Sequence, residues 1–181
     1  MTGPTLVFDL ETQRLAHEVG GWAHVERLGL AAAVLLEVES GAVARYTEPQ
    51  AADLIERLGT AGRVVGYNLL RFDYPVLNPY GLGPHLASLE LRTTDMLADL
   101  HRTLGFFLPL DNLAAATLGA TKSADGLAAV RWYRQGQIER VLDYCEEDVR
   151  LTWRLWEHGR ARRQVLYRDR DHRLRTVPVR W

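Results

Sequence analysis

Apolar residues in this chain gather into short runs set off by Gly, Pro and charged positions, and their spacing changes along the sequence. Residues 5–9 read as a first strand, 28–38 as a second and 42–47 as a third, with Ser40-Gly41 as the tight connection between the last two. This order predicts a three-stranded meander. Residues 48–58 start with Pro49 near a helix N-terminus and carry Ala52, Leu54, Ile55 and Leu58 at helical spacing, which predicts a crossover helix. Residues 63–67 then return as a strand parallel to the first. A short helix broken by Pro75 and Pro79 is expected over 72–80, and a further strand over 89–94 leads into Asp95. Helices follow near 95–103, 111–118, 126–134 and 137–158.

The last of these helices shows a clear stripe. Ile138, Leu142, Cys145, Val149, Trp153 and Trp156 recur at steps of three and four, giving one apolar face for a sheet. Tyr144 and Asp148 lie beside the stripe, one turn apart. Beyond the helix, residues 164–167 and 176–181 predict the strands of a terminal hairpin, with 168–175 as its turn. That hairpin has three possible partners: the sheet, another protein or a second copy of the chain. The whole pattern predicts an α/β layer fold with a mixed sheet flanked by helices, one domain over residues 1–160 and a basic extension over 161–181 belonging to it.

Composition agrees with a globular chain. At 181 residues, 47% hydrophobic and 25% charged, there is enough apolar material for one core and no room for a second large domain. No apolar run reaches the roughly 20 residues of a membrane helix. The N-terminus lacks the basic, apolar and small-residue succession of a secretion signal. The single cysteine, Cys145, rules out an internal disulfide and a multi-cysteine zinc site, so the expected compartment is the cytoplasm. Net charge is −1, yet residues 160–181 hold eight Arg against Asp169 and Asp171, a local +6. Such a segment suits either backbone contacts to nucleic acid or a solvated, Arg-rich surface.

Carboxylates end three of the predicted elements. In Thr5-Leu-Val-Phe-Asp-Leu-Glu-Thr12, alternation points Asp9 and Glu11 to one face. Asn68 and Asp73 follow the strand in Val64-Val-Gly-Tyr-Asn-Leu-Leu-Arg-Phe-Asp73, and Asp148 sits on the long helix four residues after Tyr144. Oxygen ligands of this kind suit hard cations such as Mg²⁺ or Mn²⁺. In this order the segments resemble the three exonuclease motifs of the DEDD superfamily, and Tyr144-x-x-x-Asp148 resembles its tyrosine subgroup, DEDDy. The nearest likeness is to YprB-like predicted exonuclease domains, some of them joined to helicases, and it spans roughly residues 5 to 157.

The resemblance implies a ribonuclease H-like fold, two Mg²⁺ or Mn²⁺ ions, and 3′–5′ hydrolysis of phosphodiester bonds. It further implies that Asp9 bridges the two ions, that Glu11 and Asp148 complete the first site, that Asp73 serves the second, and that Tyr144 orients the attacking water. A phenol with a pKa of about 10 suits positioning better than proton abstraction.

Candidate substrate contacts are Thr12, Asn68, Trp22 and Lys122. Asn68 either meets the terminal nucleotide or braces Asp73, and Phe72 is expected to support the core beside it. Trp22 either stacks on a base or packs under its loop. Lys122, the single lysine, is a phosphate contact or a solubilising residue. Asp95 is expected to cap the next helix rather than bind metal. The expected partners are the 3′ end of single-stranded DNA or RNA and a helicase or similar protein, with no membrane. Two other readings stand beside the exonuclease: a structure-selective or hybrid-specific endonuclease, and a catalytically idle adaptor.

Overall fold

The computed structural model describes residues 3–120 and 126–181, so Lys122 lies outside the described residues. Three strands open the chain: β1 (Thr5–Thr12), β2 (Leu30–Glu37) and β3 (Val43–Thr47). They form the expected antiparallel meander. Helix α1 (Ala51–Gly59) then carries the chain over to β4 (Arg63–Gly66), which pairs parallel with β1. After α2 (Tyr74–Leu77) and α3 (Gly83–Glu90), β5 (Thr93–Asp95) pairs parallel with β4, giving a five-stranded mixed sheet in the order β3-β2-β1-β4-β5. Four helices and a hairpin complete the chain: α4 (Met96–Leu104), α5 (Leu110–Leu118), α6 (Gly126–Arg134), α7 (Ile138–Arg162), and β6 (Gln164–Arg168) with β7 (Leu174–Pro178). The fold is α/β, with helices flanking the sheet as the sequence pattern implied.

Alternation along the strands builds two cores. Leu6, Phe8 and Leu10 of β1 join Leu54, Ile55 and Leu58 of α1 on one face. Val7 of β1, Val34 and Leu36 of β2, and Val65 of β4 meet α7 on the other. Full burial of each such side chain contributes about 1.5–3 kcal/mol. An ion cluster fixes α7 over the sheet edge, where Arg45 of β3 reaches Asp143 at 2.8 Å and Glu146 at 2.6 Å.

Several boundaries differ from the sequence reading. Strand β1 continues to Thr12, so Asp9 and Glu11 lie within the strand and not beyond it. Helix α1 turns Ala51 inward while Ala52 is exposed. Residues 89–90 finish α3 instead of starting a strand. Helix α7 runs to Arg162 and passes residue 160. Leu142, Cys145, Val149 and Trp156 of the expected stripe are buried, and the buried face is wider than the stripe, taking in Val141, Tyr144, Asp148, Thr152, Leu155 and Gly159. Asp148 therefore lies inside it, while Ile138 and Trp153 are half-buried. The hairpin forms its own two-stranded sheet.

Gly159 explains how the chain end docks on α7. A Cβ there would lie 2.1 Å from Nε1 of Trp181, so only glycine lets that indole lie against the helix.

Candidate metal centre and adjoining pocket

Where β1 outruns β4, its edge has no neighbouring strand, and that is where the acidic site lies. Pairing between β1 and β4 covers Thr5 to Val7. Farther along, the N–H of Leu10 donates instead to Oδ1 of Asp73 at 3.1 Å, in a buried setting. On the other side of β1, Glu11 pairs with Ala32 but Thr12 with Leu30, so β2 carries an extra residue and the ladder bends beside Glu11.

Alternation places Asp9 and Glu11 on the face covered by α7, which brings Asp148 to them. Ligand oxygens of Asp9, Glu11 and Asp148 all lie within 4.8 Å of one another. Glu11 and Asp148 are buried, at 8% and 4% exposure. Three carboxylates held this close repel one another unless a cation or protons compensate. An all-oxygen donor set of three carboxylates fits a hard divalent cation such as Mg²⁺ or Mn²⁺.

Asp73 stands outside that triad, 1% exposed. Burial, reinforced by the charges of Asp9 and Asp95, pushes its carboxyl well above the ordinary carboxylate value. Beneath the triad, the buried Cys145 thiol reaches the Asp9 carbonyl at 3.3 Å. Burial and then the charges of Asp9, Glu11, Asp148 and Asp73 push that thiol up, keeping it neutral. All four carboxylates therefore act on one buried point. Tyr144 is 3% exposed and meets Trp132 edge-on, ring centroids 6.0 Å apart.

The loop that delivers Asp73 is shaped by backbone demands. A Cβ on Gly66 would fall 2.5 Å from the Leu69 side chain, so the strand must end on glycine for the chain to turn this tightly. Asn68 follows with φ of 75°, a left-handed conformation that Asn tolerates better than most residues. Its carbonyl accepts from the N–H of Arg71 and of Phe72. The Tyr74 N–H reaches back to the Leu69 carbonyl, a wide turn that swings Asp73 toward β1. Asp95 braces the loop: it accepts from the N–H of Asn68 at 2.9 Å and of Leu70 at 3.0 Å, and from Ala98 at 3.2 Å as the cap of α4. The capping role read from the sequence is present, with a loop-bracing role added to it.

A pocket of about 430 Å³ opens beside Glu11 and Thr12. Trp22, 73% exposed, stands at its wall with its ring 6.3 Å from that of Phe72. The ring of Phe72 is half-buried against the core and also faces the pocket, combining both roles. The Thr12 hydroxyl donates to the Arg14 carbonyl at 3.0 Å, tying down the turn after the acidic strand. Arg14, His17 and Leu127 also line the pocket and were not singled out in the sequence. Arg14 and His17 had one available signal: both follow the acidic strand within a few residues. Glu18 clamps the pocket's two sides, accepting from the Leu15 N–H and from Arg134 of α6. Those contacts, the Leu15 N–H first, hold its carboxyl below the ordinary range.

Among the described residues, no helix is long and apolar enough to cross a membrane. The family RNase_H_2, of the RNase H superfamily, matches residues 6–159, a span that takes in Asp9, Glu11, Asp73, Tyr144 and Asp148 and stops short of the hairpin. No curated protein matches the chain.

Proposed function

The chain belongs to the RNase H superfamily, and from that membership we propose that it is a metal-dependent 3′–5′ exonuclease of the DEDDy, YprB-like kind, acting on the 3′ end of single-stranded DNA or RNA. The observation that carries the reading is the convergence of Asp9, Glu11 and Asp148 within 4.8 Å, with Tyr144 one turn before Asp148 on the same helix.

Asp9, Glu11 and Asp148 would hold Mg²⁺ or Mn²⁺, and Asp73 would serve a second site. Bound there, two such ions supply water activation and charge stabilisation of the leaving 3′ oxygen in an in-line displacement. The chain's own residues do the rest. Tyr144 positions the attacking water by its hydroxyl, since an ordinary phenol keeps its proton at neutral pH. Trp22 and Phe72 offer aromatic surface to the terminal base, Thr12 fixes the turn beneath it, and Arg14 faces the backbone phosphate. A pocket of about 430 Å³ falls within the usual range for small-ligand sites, about 300–1,000 Å³. Asn68 acts through its backbone, setting the position of Asp73.

The test is a gel time course on 5′-labelled single-stranded DNA and RNA of equal sequence, with Mg²⁺, Mn²⁺ or EDTA and an Asp9→Ala control. A metal-dependent ladder shortening from the 3′ end and absent in the variant is expected. Cleavage of an end-blocked circle would favour the endonuclease. No cleavage by folded protein that binds Mn²⁺ would leave an adaptor that binds nucleic acid or a helicase.

A further inference from the structure

The segment outside the family match, together with α5, frames a second cavity of about 540 Å³ whose lining includes Phe106, Phe107, Asn112, Tyr167, Arg168 and Arg170. Helix α5 holds the hairpin rigidly against this cavity. Asn112 both donates to the Arg168 carbonyl at 2.9 Å and accepts from its N–H at 2.8 Å, and the Thr117 hydroxyl bonds Leu166 in the same two-way fashion. The groove is therefore preformed.

Its chemistry is aromatic and cationic. Phe106 is 42% exposed and meets Tyr167 edge-on, leaving ring surface open to solvent. Asp169 and Asp171 also line the groove, but their charge is used within the hairpin. Asp169 accepts from Arg175 and from the N–H groups of Asp171 and Arg173, and Asp171 lies 3.9 Å from Arg173. Arg170 has no ion-pair partner among the described residues, and there the Arg168 guanidinium makes one hydrogen bond, to the His172 carbonyl. Residues 160–181 carry +6 in a chain whose net charge is −1.

Contacts join this groove to the loop that carries Asp73. Arg71, two residues before Asp73, lays its guanidinium 4.6 Å over the Phe107 ring, and His101 stacks on that ring at 4.1 Å. The Tyr67 hydroxyl donates to the Leu108 carbonyl at 2.5 Å, fixing the aromatic loop beside the turn that carries Asn68 and Asp73.

We propose that this groove is a single-stranded nucleic-acid track that holds the strand leading to the scissile end, stacking a base on Phe106 and contacting phosphates with Arg168 and Arg170. The proposal rests on the nuclease reading for its substrate, and its binding test does not. Exposed aromatic rings beside unneutralised arginines are what sequence-tolerant single-strand binding requires.

The experiment measures fluorescence anisotropy of a labelled twelve-nucleotide single strand in EDTA, with wild type, Phe106→Ala, Arg168→Glu/Arg170→Glu and the conservative Arg168→Lys/Arg170→Lys. Phe106→Ala should weaken binding about tenfold. The Glu pair should lower the salt slope by about 1.4, and the Lys pair should retain it. With metal, KM for the twelve-mer should rise about tenfold relative to KM for a dinucleotide. Wild-type affinity and slope in both Phe106→Ala and the Glu pair would overturn the track and leave the groove to an acidic protein partner. Absence of hydrolysis with these binding losses intact would sink the nuclease reading alone.

Discussion

The backbone N–H of Leu10 donates to Oδ1 of Asp73 across 63 residues of sequence, 3.1 Å apart and buried. One bond thus closes the open edge of β1 and holds a buried carboxyl against the strand that carries Asp9 and Glu11. Because burial, Asp9 and Asp95 raise that carboxyl above its ordinary 3.8, folding favours the protonated form. The stability it contributes is complete below the ordinary value and is lost as pH rises through the raised one. In EDTA, Tm measured against pH should fall along that limb. Asp73→Asn keeps an oxygen for Leu10 and cannot ionise, so its Tm should lose the limb and lie above wild type at neutral pH. Parallel Tm profiles for the two proteins would show that Asp73 ionises normally.

Metal should stabilise the fold through the same carboxylates. At a hundredfold excess over Kd, Mn²⁺ contributes about 2.7 kcal/mol, or roughly 5–10 °C in Tm for a chain this size. Asp148→Asn removes a charge from the buried face of α7 and should abolish most of that shift while lowering kcat about 10³-fold. A full Mn²⁺ shift in Asp148→Asn would place the cation elsewhere.

Asp148 also shows where the sequence was legible and where it was not. The meander followed from the tight Ser40-Gly41 connection and the parallel return of β4 from the crossover helix before it, while alternation put Asp9 and Glu11 on one face, because period two leaves no choice of face. The stripe of α7 was legible in Leu142, Cys145, Val149 and Trp156, but the full width of its buried face was not, since that face also takes in Asp148, Thr152 and Gly159, which no hydrophobic count includes. Helix α3 left no stripe to read: it begins Gly83-Pro84 and buries only Leu89. The Trp22 pocket depends on walls from residues 11–28, Phe72 and α6, contacts that no local pattern specifies.

Tyr144→Phe separates packing from positioning. The ring keeps its contact with Trp132, so Tm should fall by no more than about 2–4 °C. Loss of the hydroxyl should lower kcat about tenfold to a hundredfold with little change in KM. Unchanged kcat would remove Tyr144 from the mechanism.

Trp22→Ala tests the pocket wall. With 73% of the residue exposed, its removal should change stability by no more than about 0.5 kcal/mol. KM for short oligonucleotides should rise about tenfold through lost stacking, with kcat retained. A Tm drop without a KM effect would make Trp22 a loop anchor.

Asp95 distinguishes a brace from a ligand. Its two oxygens receive the N–H groups of Asn68, Leu70 and Ala98, and hydrogen bonds to a charged group contribute about 1.5–3 kcal/mol each. Asp95→Asn keeps one acceptor and turns an NH₂ toward backbone donors, so it should cost at least about 3 kcal/mol, roughly 6–12 °C in Tm. The loop it holds carries Asp73, so hydrolysis should fall as well. The Mn²⁺ shift should survive, because Asp9, Glu11 and Asp148 are untouched. The reverse pattern, a preserved Tm with the Mn²⁺ shift gone, would make Asp95 a metal ligand and remove it as the support of the Asn68 turn.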